Sequence, residues 1–252
     1  MSNIKDFEIE DGVLEAYHGA GGAIRIPDGV TAIADEAFFG CIGLTEVRIP
    51  ATVTRIGEGA FACCTGLTSL TVERGNPVYH SADNCLIETA TKTLVQGCTP
   101  SIIPRDGSVT AIGDGAFRGF MGLGSISLPA SVTGIGDGAF KGCTDLFSVE
   151  LPTSVKSIGW EAFAHCTALT AVLFPAGMTS IGDEAFSGCT ALTAIMIPES
   201  MEYIGEWAFY HCEKLLGIYY VGSEQAWERI EKPEDLFPDG AKLRFDCKPK
   251  KA

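Results

Sequence analysis

The chain has 252 residues, 46% of them hydrophobic and 20% charged, and 18 Lys and Arg against 32 Asp and Glu leave a formal charge of −14. That apolar fraction excludes a disordered chain, and no apolar run approaches the ~18 residues of a membrane span. The acidic balance, with a pI of about 4.6, argues against nucleic-acid and anionic-membrane partners, which need clustered Lys and Arg.

From Pro27 onward the chain repeats itself. Ala-Phe followed by Cys three residues later recurs at Phe38/Cys41 and Phe61/Cys64, then at Phe140/Cys143, Phe163/Cys166, Phe186/Cys189 and Phe209/Cys212. The step within each block is 23 residues, and Phe117 belongs to the same column with Phe120 in place of its Cys. Seven units span 27–49, 50–72, 106–128, 129–151, 152–174, 175–197 and 198–220, with a degenerate repeat and a hairpin insertion at 73–105. Self-similarity at this period marks stacked repeats.

One unit shows the local structure. Leu146-x-x-Val149-x-Leu151 alternates apolar and exposed positions up to Pro152 and reads as a short strand. Val132-x-x-Ile135-Gly136 is a second short extended piece, and Asp137 before Gly138-Ala139-Phe140 predicts an N-cap and one helical turn. A unit this small cannot enclose its own apolar side chains, so units stack into a solenoid with a parallel sheet along one face. The expected class is therefore an α/β solenoid, with helical turns and second short strands opposite the sheet.

In the insertion, DNCLIETATKTLVQGCT predicts a hairpin pairing Leu86 with Val95 and Ile87 with Leu94. A two-residue slip would oppose Cys85 to Cys98, the one plausible disulfide. Cysteines of the repeat column stack with parallel Cβ vectors about 4.8 Å apart, which suits neither a disulfide nor a tetrahedral zinc site. They read as buried free thiols acting as small hydrophobes. His165 and His211 precede Cys166 and Cys212, an adjacency that repeat position explains without a Cys–His nucleophile. Asp35, Glu58, Asp114, Asp137, Asp183 and Glu206 form an acidic column broken by Trp160. It reads as helix caps, with a cation-binding edge as the alternative.

The residues L-x-x-V-x-I-P at Leu44–Pro50 and V-x-x-I-G-x-x-A-F-x-x-C at Val53–Cys64 resemble the BspA-like, or treponemal-type, leucine-rich repeat. The resemblance implies a right-handed leucine-rich-repeat superhelix over 27–220, opened by a β-hairpin cap at 1–26 and closed by a C-terminal cap at 221–252. It also implies adhesion and partner binding, the work of bacterial and protist surface proteins with such repeats. Where an Asn ladder would lie in other leucine-rich repeats, this chain has Gly29, Thr52, Ser108, Ser131, Ser154, Gly177 and Ser200, whose hydroxyls can serve loop backbone groups.

Outward positions of the sheet have no packing role and are where a partner would be read. One column runs Arg25, Arg48, Thr71, Ser127, Glu150, Leu173, Met196, Tyr219, and its neighbour runs Thr45, Thr68, Gly124, Phe147, Thr170, Thr193, Leu216. Phe147, Leu173, Met196, Leu216 and Tyr219 form the expected partner-binding patch. The alternative is that 221–252, where Ser223 reads as an N-cap with Trp227 and Ile230 on one face, folds back over Tyr219 and Leu216 with Trp207 and Tyr210 beneath it.

Enzyme signatures such as G-x-S-x-G, a P-loop or H-E-x-x-H are absent. The expectation is a non-catalytic, monomeric protein-binding scaffold that needs no cofactor or metal and does not insert into membranes. A carbohydrate- or cation-binding module using the acidic edge or exposed aromatics is the competing reading. The start MSNIKDFEIEDG has no apolar h-region, which predicts a cytoplasmic chain, or a surface or secreted one if the sequence is a mature fragment.

Overall fold

The computed structural model describes residues 4–99 and 102–247. Each rung contributes a face strand and a two-residue second strand, and neighbouring rungs pair in parallel with the same repeat position opposite itself. Thus Ile135 pairs with Ile158, Ile158 with Ile181 and Ile181 with Ile204, while Leu173 pairs with Met196 and Met196 with Tyr219. Between the two strands the Phe column fills the core. Phe117, Phe140, Phe163, Phe186 and Phe209 stack with ring centroids 5.1–5.6 Å apart and planes within 7° of parallel. Aromatics from the ends of the chain extend the stacks, Tyr17 at 5.4 Å from Phe38 and Phe237 at 5.6 Å from Phe209.

The architecture is a β-solenoid with very little helix, which corrects the α/β expectation. Among the described residues the helices are the 3-10 turn Ile4–Asp6 and the single α-turn Glu224–Trp227. The Ala-Phe corner is a hydrogen-bonded turn, with Cys143 N–H on the Phe140 carbonyl at 3.1 Å, and it does not become a helix. Left-handed residues bracket it. Two positions before Phe stand Glu36, Gly59, Gly115, Gly138, Glu161, Glu184 and Trp207, all with φ between 49° and 63°. Two positions after Phe stand Gly40, Cys63, Gly119, Gly142, His165, Gly188 and His211, with φ between 56° and 74°. A right-handed helix cannot pass through such residues.

The acidic column is likewise not a row of caps. Each Asp carboxylate accepts from the backbone N–H one rung later: Asp35 from Glu58 at 3.0 Å, Asp114 from Asp137 at 2.8 Å, Asp137 from Trp160 at 2.7 Å and Asp183 from Glu206 at 3.0 Å. Together with the backbone of the preceding rung, that carboxylate crowds the glycine that follows the Ile in four rungs. A Cβ on Gly57, Gly136, Gly159 or Gly205 would sit 2.2–2.4 Å from that same Asp oxygen.

Two further columns tie rung to rung. Thr52, Ser131, Ser154 and Ser200 donate from their hydroxyls to the carbonyls of Val30, Val109, Val132 and Met178 at 2.5–2.7 Å. The thiols of Cys64, Cys143, Cys166, Cys189 and Cys212 reach the Phe carbonyl of the preceding rung at 3.0–3.2 Å. Burial pushes Cys64, Cys166 and Cys212 up to about 12 and holds Cys143 and Cys189 well above the ordinary thiol range.

The insertion breaks the face sheet in two. Gly22–Arg25, Leu44–Ile49 and Ser69–Val72 form a three-stranded piece. Ser125–Ser127, Ser148–Glu150, Ala171–Leu173, Ala194–Ile197, Gly217–Tyr220 and Lys242–Arg244 form a six-stranded one. Between them Tyr79–Ala82, Cys85–Glu88 and Thr93–Gln96 make an antiparallel meander whose last strand runs parallel to Ala111–Ile112. Ile87 pairs with Leu94 as expected, but a bulge sets Leu86 opposite Gln96 instead of Val95. Cys85 and Cys98 are both buried, with their thiols toward the carbonyls of Ile102 at 3.8 Å and Asn84 at 3.4 Å. In this rung Gly97 takes the Phe position, donating to the Ala116 carbonyl at 2.9 Å, and its missing side chain admits the Phe117 ring. Two residues here replace the longer corner of a regular rung, and a cleft of about 240 Å³ remains between Phe61 and Gly113–Asp114.

Candidate partner-binding face

The face strands alternate one residue in and one out because a strand's side chains point to opposite sides. Val149, Val172, Ile195 and Ile218 are buried. Their neighbours Glu150, Leu173, Met196 and Tyr219 face outward as one column across consecutive rungs. Leu173 is 74% exposed, while Met196 and Tyr219 are half-buried against their flanks. Ala171, Ala194 and Gly217 lie in register beside this column, so the track next to it is shallow.

The other two expected patch residues lie in the neighbouring column. Phe147, at 53% exposure, and Leu216, at 57%, are separated by Thr170 and Thr193. The Phe147 ring leans over Gly124, where an added Cβ would touch it at 3.5 Å. Leu173, Met196 and Tyr219 are thus brought together, with Phe147 and Leu216 as exposed outliers at either end. The two Thr hydroxyls donate along their own column, Thr170 to Phe147 O and Thr193 to Thr170 O, both at 3.3 Å.

Among the described residues the C-terminal segment runs beside the face strands and does not cross them. Lys242–Arg244 adds a parallel strand beside Gly217–Tyr220, opposing Arg244 to Tyr219, and the guanidinium stands 5.5 Å over the Tyr219 ring. The segment instead closes the core. Ser223 Oγ accepts from Ala226 N–H at 3.2 Å, Trp227 and Ile230 are buried, and Trp227 stacks on Phe237 at 6.1 Å. Trp207 and Tyr210 are more than half exposed and not covered.

At the other end of the face the column is charged. Arg25 holds Glu73 at 2.8 Å and Asp28 at 2.7 Å, and the guanidinium keeps both carboxyls below their usual range. Among the described residues no three His, Cys, Asp or Glu side chains gather as a metal site, and no helix is long and apolar enough to cross a membrane.

Stacked 23-residue rungs that pair in parallel, like position on like, and expose one side of their face strands are the architecture of a leucine-rich-repeat scaffold. The BspA type leucine rich repeat region matches residues 17–93 and 97–225, in six copies, and the chain belongs to that family. No curated protein sequence matches it significantly. Among solved structures it is similar to a leucine rich cell surface protein from Faecalibacterium prausnitzii A2-165, at 36% identity and a TM-score of 0.71 over 81% of this chain. The fold is also that of the pneumococcal vaccine antigen PcpA, at 20% identity and a TM-score of 0.72 over 87% of this chain. The chain spans about half the length of both, covering 55% of each.

Proposed function

We propose that this chain is a non-catalytic protein-binding scaffold whose partner is read by the exposed face of the six-stranded sheet, in an adhesion-type role. The observation that carries the reading is the Leu173–Met196–Tyr219 column: an apolar ridge beside a shallow track of Ala171, Ala194 and Gly217. A ridge of this kind offers anchors that become fully desolvated when a partner seats on it, the usual source of interface energy. Phe147 and Leu216 flank it. Arg244 over Tyr219 fixes one anchor's ring, which lowers the ordering cost of binding. The Asp edge supports a cation-binding reading less well, because its carboxylates are engaged with backbone N–H groups. The surface designation of the F. prausnitzii relative favours a surface or secreted location over the cytoplasmic one.

The test is affinity capture on the full chain, wild type against Leu173→Asp with Met196→Asp. Both positions point to solvent, so the melting temperature should stay within a few degrees. A partner retained by wild type and lost by the variant is the expected result. An unchanged set of bound proteins would sink the face as the binding site.

A further inference from the structure

A cup of about 330 Å³ lies where the last rung meets the C-terminal segment, away from the sheet face. Its lining combines Trp207 and Tyr210 with Glu213 from the rung corner, and Asp235 and Asp239 from the segment that closes it. Phe209 and Leu236 are buried beneath and Phe237 is partly so, giving an apolar floor. His211 also lines the cup, tilted against the Tyr210 ring at 4.0 Å. No Lys or Arg contributes to the lining, and among the described residues none of the three carboxylates has an ion-pair partner.

The sequence of the rung makes this more than an end effect. Positions 207 and 211 are the two left-handed positions of the corner, held at φ 55° and 56°. In most other rungs they carry Gly, Glu or Cys; here both carry aromatic rings, and Trp207 presents 57% of its surface to solvent. A bulky side chain is disfavoured in that conformation, and nothing in the core uses the Trp207 ring.

We propose that the cup binds an organic cation: the ammonium or guanidinium end of a Lys or Arg side chain presented by a partner protein. Exposed Trp and Tyr faces attract a cation through their quadrupoles, three unpaired carboxylates supply counter-charge, and the Phe and Leu floor accepts an alkyl stem. The chain's −14 charge adds a general pull on basic segments. The proposal does not rest on the face column, which lies on a different side of the rung.

The experiment is an amide NMR titration of the full chain with Nα-acetyl-lysine amide and Nα-acetyl-arginine amide. The Nε-acetylated lysine analogue and cellotriose serve as the neutral and carbohydrate arms. Saturable shifts confined to Trp207–Glu213 and Asp235–Asp239 are expected with the two cations and not with the neutral probes. Trp207→Ala, and separately Asp235→Asn with Asp239→Asn, should each weaken binding about fivefold or more, an effect reduced in high salt. Leu173→Asp with Met196→Asp should titrate like wild type, which separates this site from the face. Absence of shifts with the cations, equal shifts with the neutral lysine, or shifts with the sugar alone would each overturn the proposal. So would full retention of binding by Trp207→Ala.

Discussion

At the residue scale the repeat is held by side chains that serve the next rung instead of their own. The Asp carboxylate sits on the following N–H, and the glycine there clears both that oxygen and the backbone of the preceding rung. Gly136 and Gly134 test this side by side. A Cβ on Gly136 meets Asp114 Oδ1 at 2.3 Å and backbone at 2.8 Å, whereas one on Gly134 meets only the Ser157 hydroxyl at 3.4 Å. Gly136→Ala should cost about 2 kcal/mol or more in chemical denaturation, and Gly134→Ala should lie near wild type. Equal effects would mean that the close approach of the preceding rung does not require glycine here. The glycine column was visible in the sequence but its reason was not. An Asp before a short turn looks the same whether it caps its own turn or its neighbour, and only the left-handed residue after it decides.

At the element scale the thiol column behaves as one unit. Its members are neutral in the fold, raised by burial to about 12 at Cys64, Cys166 and Cys212 and well above the ordinary thiol range at Cys143 and Cys189. In the unfolded chain they ionise near 8.5. Above that pH the unfolded state releases protons that the folded state keeps, so stability is full below about 8.5 and falls as pH rises toward 12. Each thiol can contribute up to ~1.4 kcal/mol per pH unit. Urea midpoints measured from pH 7.5 to 10.5 should therefore drop steeply, and Cys166→Ala should flatten the slope. A midpoint independent of pH would contradict this. The column itself was legible from Phe/Cys spacing, because a fixed period repeats every contact. The meander was legible only in part. Ile87 against Leu94 follows from apolar matching, but the bulge opposite Gln96 arises because the degenerate rung must reach Ala116 with a shortened corner.

At the scale of the whole molecule, the insertion divides a face that the repeat alone would make continuous. The charged end, with Arg25 between Asp28 and Glu73, stays on the three-stranded piece. The apolar ridge lies wholly on the six-stranded one, and its last strand comes from the C-terminal segment. Which outward columns are apolar could be read from the chain. That the terminus would extend the sheet and leave Leu216 in the open could not, since Lys242–Arg244 carries no repeat signature. The same terminus creates the aromatic cup; the sequence allowed Trp207 and Tyr210 to lie beneath the closing segment, whereas they stay more than half exposed and line an open cup beside it.

The face reading is tested most directly by methyl NMR of the chain bound to its captured partner. Met196 is half-buried on the ridge, Met178 and Met201 are buried in the core, and Met121 is 56% exposed elsewhere. Binding at the face should shift or broaden the Met196 and Leu173 methyl resonances while Met178, Met201 and Met121 stay in place. A complex that leaves Met196 and Leu173 untouched would contradict it.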